Sequence, residues 1–129
     1  MVITDISDRL IDEGARVVEK LDEEGIKVTA ALWILFPDRE AWKLALALSA
    51  VTKEGPRRGY QLVQNALVEL RPEVRDISLE DITILRPDAP LLRLLRVGLR
   101  TGPAVSRVWF KGNAINGELF PDALVYRVT

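Results

Sequence analysis

The alternation of apolar and polar positions divides the chain into short amphipathic segments separated by turn signals. From Asp5 to Glu24, Ile6, Leu10, Val17 and Leu21 recur at helical spacing, while Asp8, Asp12, Glu19 and Glu23 fall largely off that stripe. This predicts a first helix over 5–24, capped by Thr4 or Ser7, with Gly25 where a helix end wants a left-handed residue. The period then changes. In AWKLALALSAV, Trp42, Leu44, Leu46 and Leu48 alternate with Lys43, Ala45, Ala47 and Ser49. Alanine and leucine favour a helix by propensity, but a period of two describes a strand, so a β-hairpin is predicted with strands 27–36 and 41–51. With an odd-length connection, Val28, Ala30, Leu32, Ile34 and Phe36 share a face with Trp42, Leu44, Leu46 and Leu48. The other face is then mixed, carrying Lys27, Thr29, Trp33 and Lys43. An even connection divides the large residues between both faces. The cleaner separation favours the odd one, because a one-residue slip would expose the whole apolar set.

Gly55 and Pro56 open a second helix that runs to Leu70 and buries Tyr60, Val63, Leu67 and Leu70. Residues 71–80 read as loop with a short helical turn, and Ile82 to Leu85 as a strand. Asp88 is placed to cap a third helix over 89–100, with Leu91, Leu95 and Gly98 inward and Arg93, Arg96 and Arg100 outward. Strands over 105–111 and 123–128 follow, around the turn-rich GNAINGELFPD, in which Asn113 and Asn116 suit left-handed positions. The expected fold is α+β: a two-layer sandwich of three helices on one side of a mixed five-stranded sheet, in the order α-β-β-α-β-α-β-β. At 129 residues, one domain over 1–129 is expected, with no linker and no internal repeat.

Composition narrows the chemistry. The chain has no cysteine and no histidine, which removes disulfides, thiol and imidazole catalysis, and nearly every zinc or copper site. An enzyme would have to work with carboxylates, most readily through Mg²⁺. No run of apolar residues is long enough to span a membrane, and the N-terminal MVITDISDRL lacks the pattern of a secretory signal. Cytoplasmic location, no cofactor and no membrane partner are therefore expected. Few labile residues and many charges would suit a thermophile, although a GC-rich genome explains the 13 arginines equally well.

Charge is uneven. Residues 1–54 carry 7 basic and 11 acidic side chains, whereas residues 86–129 carry 7 basic and 3 acidic. The basic end can face an anionic partner, or the two ends can attract each other within the fold; the overall net charge of −1 favours the second.

Two candidate surfaces emerge. Arg57 and Arg58 stand in the first turn of the second helix, where the macrodipole disfavours cations, so they could grip a phosphate or carboxylate; alternatively they splay outward and pair with Glu54 or the first helix. The mixed sheet face would gather Trp33, Lys43, Arg107, Trp109, Lys111 and Arg127. Tryptophan and arginine are typical interface anchors, and aromatics among cations can also stack nucleic-acid bases. If the sheet is covered on both sides, the tryptophans are simply core. Phe36-Pro37-Asp38 with Glu40 and Lys43 superficially matches a nuclease motif, but it is compressed into a hairpin tip where those groups cannot converge on a metal. Glu80-Asp81 could contribute to a metal site, yet Ser78 upstream makes a local cap the better account.

The segments AALWILFPDREAWKLALALS, GPRRGYQLVQNAL and VWFKGNAINGELFPDALVYRV resemble an uncharacterised family of small bacterial hypothetical proteins with no assigned function. That resemblance implies the same compact fold over nearly the whole chain but carries no activity, cofactor or catalytic residue that can be transferred. The functional expectation is a non-enzymatic module that self-associates as a homodimer or docks a protein partner. A small nucleic-acid or anion-binding protein comes second, and an Mg-dependent carboxylate enzyme third.

Overall fold

A computed structural model describes residues 5–36, 38, 40–112 and 114–129. Along the chain lie α1 (Asp8–Glu23), β1 (Val28–Phe36), β2 (Ala41–Leu48), α2 (Ala50–Glu54), α3 (Pro56–Leu70), β3 (Ile82–Leu85), α4 (Pro90–Gly98), β4 (Val108–Phe110), β5 (Ala114–Ile115), β6 (Glu118–Leu119) and β7 (Ala123–Val128). The five-stranded sheet has the order β3-β2-β1-β7-β4, and β5 and β6 form a separate ribbon. β3 runs parallel to β2 and the other pairings are antiparallel, so the sheet is mixed. The α+β class, the mixed sheet and the three long helices agree with the sequence pattern. No helix among the described residues is long and apolar enough to cross a membrane.

The period-two reading of 41–48 holds, and the strand gives way at Ser49 to the short α2. The hairpin register does not follow the odd-loop expectation. Phe36 pairs with Ala41, Leu35 with Trp42 and Trp33 with Leu44, so an even number of residues intervenes and the large side chains divide between the faces. Phe36 and Trp42 consequently lie on opposite faces, Phe36 against the second core cluster and Trp42 against the first. The physical reason is that neither face is open. α1 and α3 cover the face bearing Ala31, Trp33, Leu44, Leu46, Leu48, Leu124 and Tyr126. α4, Ile115 and Phe120 cover the face bearing Ala30, Leu32, Ile34, Ala45, Ala47, Ala123 and Val125. The helices therefore do not all lie on one side of the sheet. With both faces buried, each large aliphatic side chain gains about 1.5–3 kcal/mol wherever it points, and separation by face no longer selects the register.

Local signals are largely obeyed. Ser7 caps α1, accepting from the Leu10 N–H at 3.2 Å, and Gly25 takes φ 75° behind the helix. Ser78 and Asp81 form a capping box on the short 3-10 turn Leu79–Asp81, the cap expected there. Asn116 takes φ 52° in the β5–β6 turn, while Thr4 and Asn113 fall outside the described residues. Asp88 does not cap α4: Ala89 holds that position, and Asp88 pairs with Arg86 at 3.3 Å. Leu92 and Leu95, rather than Leu91, are the fully buried residues of α4.

Candidate functional site

The six residues expected on a mixed sheet face do not form one surface. Trp33, 1% exposed, lies under α1, where its Nε1–H donates to the Tyr126 hydroxyl at 2.9 Å. Tyr126 in turn donates to the Ile11 carbonyl. Burial raises the Tyr126 pKa well above its ordinary value, so the hydroxyl remains a donor. Gly14 makes room for this pair: a Cβ there would sit 2.4 Å from Tyr126 Oη and 2.7 Å from Trp33 Nε1. Trp33 is thus a core residue, because both sheet faces are covered.

Arg127 is also buried, at 6% exposure. It makes a two-pronged pair with Asp22 at 3.0 and 2.7 Å and a further bond to the Val28 carbonyl at 3.3 Å, tying β7 to the end of α1. Lys43 stands opposite Ile34, on the other face from Trp33, and its Nζ donates to the Glu80 carbonyl at 2.7 Å. Only Arg107, Trp109 and Lys111 remain together, at and beside β4. Arg107 pairs with Asp12 at 2.8 Å and Lys111 with Asp5 at 3.6 Å. The attraction between acidic N-terminal and basic C-terminal segments is therefore largely satisfied within the molecule.

Trp109 remains accessible at 45% exposure. Its ring stands edge-on to Trp42, with centroids 6.4 Å apart and planes at 77°, and Lys111 Nζ lies 4.5 Å from its centroid. These two contacts hold the ring while one side stays open to solvent. Pairing of Trp109 with Leu124, and of Phe110 with Ala123 beside Ile34, places it toward the hairpin end of the sheet. Leu119, 77% exposed, projects from the ribbon after β4, and a 210 Å³ hollow is lined by Leu35, Leu119, Phe120 and Pro121. β4 is an edge strand, and among the described residues no strand pairs with its outer side.

The chain matches no protein-family model, no curated protein and no solved structure. The likeness to small uncharacterised bacterial proteins therefore brings no family assignment, and the functional argument rests on the geometry alone.

Arg57 and Arg58 separate. Arg58 Nε lies 3.7 Å from Glu54, one of the partners expected if the arginines splay outward. Arg57 instead lines a cleft of about 270 Å³ with Tyr60, Gln61, Gln64, Asn65 and Leu79. The amides escaped notice in the sequence because a polar stripe on an amphipathic helix ordinarily marks its solvated side. Glu13 was missed for a similar reason. It is a charged residue on α1 yet only 6% exposed, and it accepts from the backbone N–H groups of Arg75, Asp76 and Ile77 at 3.2, 2.9 and 3.1 Å. Arg71 completes that knot by donating to the Val74 and Ile77 carbonyls. Glu13 is a structural anchor for the 74–77 loop.

Proposed function

We propose that this chain is a non-enzymatic interaction module that self-associates through the hairpin end of its sheet, with Trp109 as anchor. The observation that carries this reading is the ring of Trp109, oriented by Trp42 and Lys111 and nearly half open to solvent. An aromatic side chain with two χ angles already fixed loses little entropy on docking and brings a large contact area. Arg107 and Lys111 beside β4 provide a polar rim. The interface proposed here differs from an open sheet face, since Trp33 and Arg127 belong to the interior.

The experiment is mass measurement by light scattering over a concentration series, for wild type and Trp109→Glu. Wild type is expected to approach the mass of a dimer, and Trp109→Glu to remain a folded monomer with unchanged far-UV circular dichroism. A wild-type monomer at every concentration, or a Trp109→Glu dimer as stable as wild type, would overturn the proposal. Adding salt should weaken the dimer little, because the anchor is a ring and not a phosphate-binding array.

A further inference from the structure

The cleft on the flank of α3 lies on the exposed polar side of that helix. Its wall carries Arg57, Gln61, Gln64 and Asn65, which stand one, one and two helical turns apart or adjacent, and none of these four side chains has a hydrogen bond or ion pair with any described residue. The chain contains only five carboxamide side chains, and three of them line this one hollow. Tyr60 and Leu79 supply an apolar floor. Tyr60 Oη accepts from the Ile84 N–H at 3.3 Å, which fixes the ring.

Both sides of the cleft are tied to the fold. A Cβ at Gly59 would sit 2.7 Å from Ile84 and 2.9 Å from Val51, so α3 is seated directly on β3 and α2 at this point. Leu79 belongs to the 3-10 turn held by the Ser78–Asp81 capping box. The backbones on either side of the cleft are thereby anchored, while its exposed polar side chains are ordered only on binding.

We infer that this cleft binds a small monocarboxylate that also bears an amide or hydroxyl group. One guanidinium is present without an acid partner, which balances a single negative charge, and its planar fork matches a carboxylate. Carboxamides both donate and accept, so Gln61, Gln64 and Asn65 suit a ligand with mixed hydrogen-bonding groups better than a bare anion. The hollow of about 270 Å³ falls just below the usual range for binding pockets, which suits only a small ligand. This site is independent of the Trp109 surface, and either can fail without the other.

The carboxamide N–H₂ resonances offer a direct readout, because Asn116, in the β5–β6 turn, is not among the residues lining the cleft and serves as an internal control. Isotope-labelled protein would be titrated with N-acetylglycine, sodium acetate and inorganic phosphate at constant ionic strength. Saturable shifts are expected at Gln61, Gln64 and Asn65 with N-acetylglycine, at lower concentration than with acetate, while Asn116 stays still. Arg57→Gln, an exposed substitution, should weaken the N-acetylglycine response on the order of tenfold, and Arg58→Gln should leave it unchanged. The inference is overturned by any of three results: no saturable shift, a response that Arg57→Gln leaves intact, or tighter binding of phosphate than of both carboxylates.

Discussion

Replacing Gly14 with alanine tests how the core is assembled around Trp33. In an ordinary helix interior the change would stabilise by about 1 kcal/mol. Here the added methyl meets Tyr126 Oη at 2.4 Å and Trp33 Nε1 at 2.7 Å, both in a buried hydrogen bond, so one of the rings must move. Overpacking costs about 1–3 kcal/mol and an unsatisfied buried polar group about 1–3 kcal/mol more, leaving a net loss near 3 kcal/mol. Tyr126→Phe removes the nearest atom, after which the closest contacts are Trp33 Nε1 and the ring carbon at 3.1 Å. Gly14→Ala should therefore cost less in that background, by about 1 kcal/mol or more of coupling. Urea unfolding followed by tryptophan fluorescence gives all four stabilities of the cycle, provided the slopes agree. A Gly14→Ala protein as stable as wild type, or costs that simply add, would refute the account of Gly14 as the space that admits the Trp33–Tyr126 pair.

Two further substitutions test the polar ties between distant segments. Glu13→Ala strands three backbone N–H groups of the 75–77 loop and should cost about 2–4 kcal/mol, with faster hydrogen exchange at Asp76 and Ile77; a loss within about 0.5 kcal/mol, as for ordinary surface changes, would show that the loop does not need it. Asp22→Ala leaves the buried Arg127 without its carboxylate, whereas Arg127→Met removes the charge and keeps volume, so chemical denaturation should rank Asp22→Ala as the more damaging; the reverse order would mean that the pair contributes more than it costs.

Much of the fold was legible because local chemistry and tertiary packing agree. The alternation at Trp42, Leu44, Leu46 and Leu48 overrode the helical propensity of alanine and leucine, and the strand formed. Ser7, Gly25 and Asn116 took the positions that their side chains or backbone freedom favour. The hairpin register was not legible, because it depends on what covers each face. Alanines at 30, 45 and 47 look like the weak side of an amphipathic strand, yet they are the surface on which the second layer packs. With α4 over that face and α1 over the other, the mixed face disappears, and Trp33 and Arg127 lie under α1. The cleft on α3 was half legible: Arg57 stood out by breaking the charge rule at a helix start, but Gln61, Gln64 and Asn65 became notable only when the turn at Leu79 closed the other wall.

The charge asymmetry bears on which partners the molecule suits. The basic C-terminal third could face an anionic partner or the acidic N-terminal segment, and Lys111, Arg107 and Arg127 are joined to Asp5, Asp12 and Asp22 respectively. Each tie links the N-terminal acidic segment to β7 or to a residue flanking β4, so three of the seven basic residues in 86–129 fasten the N-terminal segment along that side of the sheet. Of the remaining basic side chains, Arg93 and Arg100 have no partner among the described residues; Arg93 is on α4, which covers the opposite face, and Arg100 follows that helix. Arg57 stands apart from both, on α3. A nucleic-acid backbone presents a negative charge every few ångströms and rewards a continuous basic track. Cations that are neutralised along one side and dispersed over the others favour a single small anion or a protein surface over a polyanion. That is the physical ground for preferring a carboxylate at Arg57 and a self-association surface at Trp109.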